Sequence, residues 1–381
     1  MLRGREQKKE EMKITLHSLG VISLKVLAGI LVMAVLAATA GWSYISWNKH
    51  KTARLFALPG GIAEVRVVEL GGVKQWISLR GQDAGLPVLL FVHGGPGSPS
   101  MPFIRHHLGD LEEHFVVVNW DQRGAGKSYG KNIPVETMTL EQIVDDCLEL
   151  TAYLRRELGV DKIYLAGISW GTIVGVHAVD RQPEWFHAYI GIGQVVDVVR
   201  SEQISYDFAR DKARTSGNSQ ALNELREIPR PPYPADEFVQ LVSAQRRWLF
   251  ELGGVLYEPI DRDIHQQKLL RTLFFAHEYS IGDSYNAMRG NLQSVELLLE
   301  DMMEVNLLAQ VTNLEVPVYF IHGSHDYVTP GQLVEEYYEL LEAPEKHLLW
   351  FEFSAHSPHL EQPRGFVRIM VERVLGRQPG E

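Results

Sequence analysis

Short apolar runs, several bounded by Gly or Pro, alternate along this chain with amphipathic helical patterns, and no other feature restricts its fold as strongly. Val88–Val92, Phe115–Asn119, Lys162–Ala166, Tyr189–Ile192, Val316–Ile321 and His347–Phe353 have the unbroken apolar character of strands covered on both faces. Between them, Leu140–Glu157 and the stretch after Gly171 carry helical periodicity. Strand and helix in alternation imply an α/β fold with a mostly parallel sheet. Ile62–Leu70 and Lys74–Arg80, joined by Gly71-Gly72, read as a hairpin at its edge. From 201 to 305 the rhythm breaks: charge is dense, Ile228-Pro229-Arg230-Pro231-Pro232-Tyr233-Pro234 marks a loop, and only helices are expected. The strand pattern resumes at Val316, so this helical insertion interrupts one domain, whose two parts are residues 51–200 and 306–381.

Residues 1–50 are of a different kind. No charge occurs from Val26 to Asn48, and VLAGILVMAVLAATAGWSYI within that stretch is long enough, at about 1.5 Å per residue, to cross a hydrocarbon layer of about 30 Å. Arg3, Arg5, Lys8, Lys9, Lys13 and Lys25 precede it against Lys49, Lys51 and Arg54 after it, which keeps the start in the cytoplasm and the bulk of the chain outside. Trp42, Tyr44 and Trp47 gather at the far end, where amphipathic rings favour the lipid boundary. The expectation is a membrane anchor; the alternative is a signal peptide cleaved after Ala38-Thr39-Ala40, with release of the rest.

Composition removes several classes. With 45% apolar residues and one Cys in 381, the chain is neither a disulfide scaffold nor wholly disordered. Beyond residue 54 it holds 28 basic against 45 acidic residues, a balance that argues against nucleic acid as a partner and fits a solvated acidic surface or a field drawing cationic substrates. Cys147 falls in the helical pattern of Ile143, Leu150 and Leu154 and reads as a core thiol. Nothing in the pattern specifies an oligomer.

The chemistry concentrates at Gly167-Ile168-Ser169-Trp170-Gly171, between the strand KIYLA and the helical run TIVGVHAV. A sharp strand-to-helix turn crowds the backbone; flanking glycines relieve it while the central serine projects its hydroxyl. That hydroxyl needs a base, and the base an orienting carboxylate. Asp326 follows the strand VPVYFIHG, and His356 follows HLLWFEF, giving the chain order Ser169, Asp326, His356 of an α/β-hydrolase. His322, His325 and His359 compete for the base; His356 is preferred because it comes first after the strand. His356 and His359 have no third ligand at metal-binding spacing, so neither metal nor cofactor is expected. An acyl-transfer intermediate also needs donors for its oxyanion: the amide of Gly94, in His93-Gly94-Gly95-Pro96-Gly97, and the amide of Trp170 are the candidates. Asp121-Gln122-Arg123-Gly124-Ala125-Gly126-Lys127-Ser128 ends like a phosphate loop but has Asp121 where the first glycine must stand; Asp121 and Arg123 are expected to pair and brace the loop.

Taken together, HGGPG, NWDQRGAGKS, GISWGT, HGSHD and SAHSPH resemble the proline iminopeptidase branch of the α/β-hydrolases, over roughly residues 60 to 375. The resemblance implies a Ser-His-Asp triad under a helical cap, here residues 201–305, and release of an N-terminal residue, often proline, from small peptides. It carries over to Ser169, Asp326, His356 and the amides of Gly94 and Trp170. In that branch, cap glutamates hold the substrate's amine; Glu278 and Glu296 are the counterparts available. The same triad serves a carboxylesterase acting on small esters without such a glutamate, and a non-catalytic binding module is a third reading.

Overall fold

A computed structural model describes residues 2–54, 60–130 and 132–377, in two compact units, residues 1–55 and 56–381. The first unit is one helix, α1 (Leu2–Arg54). Its segment Ser23–His50, 28 residues, is apolar and long enough to cross a membrane, and its apolar stretch is not buried in protein. At about 1.5 Å per residue it spans more than a hydrocarbon layer requires. The side chains of Arg3, Arg5, Lys8 and Lys13 lie outside the described ones.

The second unit is built on eight strands: β1 (Ile62–Leu70), β2 (Val73–Gly81), β3 (Val88–Val92), β4 (Val116–Asp121), β5 (Ile163–Ile168), β6 (Phe186–Ile192), β7 (Val318–Gly323) and β8 (Lys346–Phe351). They lie in the order β1-β2-β4-β3-β5-β6-β7-β8. The hairpin β1–β2 forms one edge and pairs antiparallel with β4; all other neighbours are parallel. Each parallel crossover is filled by helix. The first helices are α2 (Met101–Leu108), α3 (Leu140–Leu158) and α4 (Trp170–Arg181). α3 shows why such a segment is helical: the Thr139 side chain accepts a hydrogen bond from the Gln142 amide at its start, and Gly159 adopts the left-handed conformation at its end. Its buried stripe of Ile143, Cys147, Leu150 and Leu154 faces the sheet. Cys147 is a core residue, and burial pushes its thiol up to about 12.

Alternation along the strands divides the core in two. Leu90, Val92, Val118, Trp120 and Leu165 pack with α3 and α4, whereas Leu89, Phe91, Val117, Ala166 and Ile168 pack on the other face with Ile104 of α2 and Phe366. Both faces being covered, the strands need no polar side, which is why they read as continuous apolar runs. Between β6 and β7 the chain forms α5 (Val198–Thr215), α6 (Ser219–Glu227), α7 (Phe238–Glu251), α8 (Arg262–Phe275), α9 (Ile281–Leu297) and α10 (Leu299–Met303), with no strand among the described residues. Tyr206, Ala209, Leu225, Trp248 and Leu249 give these helices a small core of their own.

Candidate active site

The turn from β5 into α4 places Ser169 at φ 51° and ψ −119°, making it the one non-glycine residue with positive φ among those described. Strain of this kind, of order 1–3 kcal/mol, persists only where the surroundings enforce it. Here they do: a Cβ on Gly171 would stand 2.0 Å from the Val92 carbonyl oxygen, and one on Gly167 2.5 Å from the Gly171 oxygen. Only glycine lets β3, β5 and α4 approach so closely.

Because β5, β6, β7 and β8 are parallel, the loops after β7 and β8 open on the same edge as Ser169. Three strand spacings separate β5 from β8, about 14 Å, so the β8 loop must reach back across β6. Gly193, at the end of β6 with φ 58°, makes room: a Cβ there would lie 3.1 Å from the His356 oxygen and 3.3 Å from the ring carbon Cε1. The result is that His356 Nε2 stands 3.1 Å from Ser169 Oγ, and His356 Nδ1 2.9 Å from Asp326 Oδ2.

Asp326 is fully buried yet well supplied with donors. Its Oδ1 accepts from the amides of Val328 (2.8 Å) and Thr329 (2.9 Å), and its Oδ2 from the Thr329 hydroxyl (2.6 Å). Burial alone would raise this carboxyl; His356, His322 and Thr329 outweigh it and hold it down at about 2. An ionised Asp326 accepts a hydrogen bond from the Nδ1–H of His356, leaving the Nε2 lone pair toward the serine hydroxyl. That geometry allows a neutral imidazole to take the hydroxyl proton while the carboxylate stabilises the imidazolium formed.

The competing histidines lie elsewhere. His322, inside β7 and fully buried, has Nε2 3.7 Å from Asp326 Oδ2, too far for a hydrogen bond, and burial lowers its pKa. His325 is exposed with its ring against Tyr257. His359 is buried beside Phe366, and burial, with His356 and His107 adding to it, lowers it to about 3.

The glycine-rich loop after β3 lies against the elbow. A Cβ on Gly94 would be 3.2 Å from Ser169 Cβ and 3.0 Å from the Ile168 oxygen. Trp170 opens α4, where the first amides have no partner within the helix and the dipole is positive. His93 locks the loop: Nδ1 bonds the Gly94 oxygen (2.8 Å) and Nε2 the Gln122 amide (3.1 Å). A carbonyl only accepts and an amide only donates, so the proton sits on Nδ1 and the ring is neutral; burial lowers its pKa to about 4. Gln122 adds its side-chain amide to the His93 oxygen (2.8 Å) and accepts from Trp170 Nε1 (3.2 Å). Three motifs distant in the chain are thereby joined.

The expected Asp121–Arg123 pair does not form. Arg123 turns toward α3 and makes a fully buried two-pronged pair with Asp146 (2.8 and 2.9 Å). Asp121, at the end of β4, instead accepts from the Tyr279 hydroxyl (2.6 and 2.7 Å) and the Lys127 amide (2.9 Å), and burial raises it to about 7 despite these donors. Asp121 and Arg123, two residues apart at the end of β4, point in different directions, Arg123 toward α3 and Asp121 under the inserted helices. Glu278 is buried in an ion pair with Arg105 (2.6 Å), and Glu296 is exposed on α9; neither bonds the Ser169–His356–Asp326 group among the described residues. Gly193 and Thr329 were not singled out by pattern, although a glycine directly after the β6 run and a threonine three residues past Asp326 are the signals they leave in the sequence.

Comparison with known proteins agrees with this architecture. Residues 87–363 match the family model for the alpha/beta hydrolase fold, and the chain belongs to that family. Within it the chain falls in the proline iminopeptidase-like branch. The chain is 34% identical over 313 residues to a probable aminopeptidase, YbaC, of Bacillus subtilis, covering 81% of this chain and 95% of the relative. It is 30% identical over 309 residues to a proline iminopeptidase of Clostridioides difficile, 79% of this chain and 94% of the relative. Among solved structures, a proline iminopeptidase-related protein from Thermus thermophilus shares the fold with a TM-score of 0.58 at 20% identity, over 80% of this chain and 94% of that one.

Proposed function

We propose that this hydrolase is a membrane-anchored serine aminopeptidase that releases an N-terminal residue, proline or another, from small peptides through an acyl-enzyme. The observation that carries the reading is the continuous line from Ser169 Oγ through the His356 ring to Asp326, at 3.1 and 2.9 Å. In this reading, Ser169 Oγ attacks the carbonyl carbon of the first residue while its proton passes to His356 Nε2. The amides of Gly94 and Trp170 receive the oxyanion. The imidazolium returns the proton to the leaving amine, and water, activated by the same nitrogen, releases the acyl group. Residues 201–305 act as the cap that limits substrate length, over a core of 51–200 and 306–381. Residues 1–50 hold the enzyme to the membrane with its start in the cytoplasm.

A carboxylesterase is the second reading, and a particular observation favours it: Glu278 is engaged by Arg105, and Glu296 is exposed, so neither presents an unpaired buried carboxylate to a substrate amine. A panel of aminoacyl-arylamides and short acyl esters separates the two. The peptidase reading expects turnover of arylamides with a free amine, and none when the amine is acylated; preference for esters regardless of the amine favours the esterase. Ser169→Ala should lower turnover on the order of 10⁴-fold or more and abolish labelling by a fluorophosphonate. Retained activity on both substrate classes would refute either serine mechanism.

A further inference from the structure

The helix α9 is built inside out. Its buried face is made of small residues, Ser284, Ala287, Gly290 and Ser294. The opposite face carries Ile281, Tyr285, Met288 and Leu292, spaced i, i+4, i+7 and i+11, which puts them in one stripe along the helix. All four are exposed, Tyr285 at 55% and Leu292 at 66%, values too high for residues lining a closed cleft. Single exposed apolar side chains are ordinary; a row of four on one helix marks a surface that something covers. Leu269 and Leu270 of α8 are exposed as well.

Charge indicates what covers it. The chain as a whole carries −11. Residues 261–297, which take in α8 and α9, nevertheless hold Arg262, Lys268, Arg271 and Arg289. Of the carboxylates there, Glu278 is taken by Arg105 and Asp283 by Lys127, leaving Asp261, Asp263 and the exposed Glu296. An apolar stripe flanked by four cations against three carboxylates outside an ion pair, on an otherwise strongly acidic protein, is the face that complements an anionic lipid surface best. A second copy meeting the same face would bring like charges together.

We propose that the outer face of α9, with the exposed leucines of α8, docks in the headgroup layer of an anionic bilayer. This rests on reading Ser23–His50 as a membrane span, which tethers the hydrolase unit to that bilayer through the seven residues between Arg54 and Ile62. Docked there, the inserted helices lie at the lipid boundary, and amphiphilic substrates reach the unit from the membrane surface.

The test uses the full chain in nanodiscs of phosphatidylglycerol and phosphatidylcholine carrying bromine high on the acyl chains, with single labelling sites Leu292→Cys, Leu340→Cys and Leu31→Cys read by bimane fluorescence. Cys147 is buried and leaves the label to the introduced thiol. Quenching at 292 and not at 340, weakened about fivefold in docked-to-free ratio for each charge removed in Lys268→Gln and Arg271→Gln, is the expected result. For the label at 31 the bromines are placed deep in the acyl chains. No quenching there overturns the span and the tether with it. Quenching at 31 with none at 292 overturns the docking alone. Disulfide-linked dimers of Leu292→Cys formed in preference to quenching would assign the face to a second copy and refute the lipid.

Discussion

Asp326 shows how far a residue's chemistry depends on what the fold brings to it. The carboxylate is buried, a setting that favours protonation, yet it accepts two amides, a hydroxyl and the His356 ring. It is therefore held at about 2 in the folded chain against an ordinary value of 3.8. The folded state binds fewer protons than the unfolded one between those values. Its stabilisation is complete above about pH 4 and is lost as the pH falls through about 2, amounting to about 2 kcal/mol. Thermal melts of wild type and Asp326→Asn in detergent should differ accordingly: the wild type loses about 2 kcal/mol more than the variant between about pH 5 and pH 2. Parallel losses would show that the carboxylate is not held ionised. At this scale Ser169, Asp326 and His356 could be named from motif and chain order, because each follows an apolar run in the sequence. The destinations of Asp121 and Arg123 could not, because both partners, Tyr279 and Asp146, come from elements more than twenty residues away.

Elements were recognisable where hydrophobic period and chain punctuation agree, and their ends shifted where pairing continued past the apolar run. β4 extends to Asp121 because Trp76 and Ile77 of β2 still pair with Asp121 and Trp120 there. β6 begins at Phe186, before the run Tyr189–Ile192, because Ile163 of β5 pairs with it. α9 is the element whose placement says most about the site. Gly290 presses on the loop after β4 so closely that a Cβ would stand 2.3 Å from the Gly124 oxygen. The Asn291 amide bonds the Pro96 oxygen and Ser98 Oγ, each at 2.8 Å, on the glycine-rich loop. A backbone atom cannot yield as a flexible side chain does, so Gly290→Ala should lift α9 from its seat at a cost of about 1–3 kcal/mol. Hydrogen exchange should then quicken over 281–297 and in the 94–98 loop, while β5 and β7 keep their protection; unchanged exchange in α9 would show that the helix is not held at this point.

At the scale of the whole molecule, an apolar helix of membrane-spanning length and a hydrolase unit with its own two-faced core share one chain. If the helix is the anchor, the full chain resists alkaline extraction from membranes, and after removal of residues 1–54 high salt, which screens any headgroup docking through α9, shifts hydrolase activity to the soluble fraction; activity that stays with the membrane in high salt after the deletion would refute the helix as the anchor. Residue order alone was enough for the alternating α/β plan, the helical insertion, the apolar segment and the serine elbow, because period, length and glycine spacing are local properties written along the chain. Folding was needed to bring His356 across β6 past Gly193, to pair Arg123 with Asp146, to hand Glu278 to Arg105 and to turn α9's large apolar residues outward. Those outcomes rest on contacts between segments far apart in the chain, and such contacts exist only once the sheet has set its strand order.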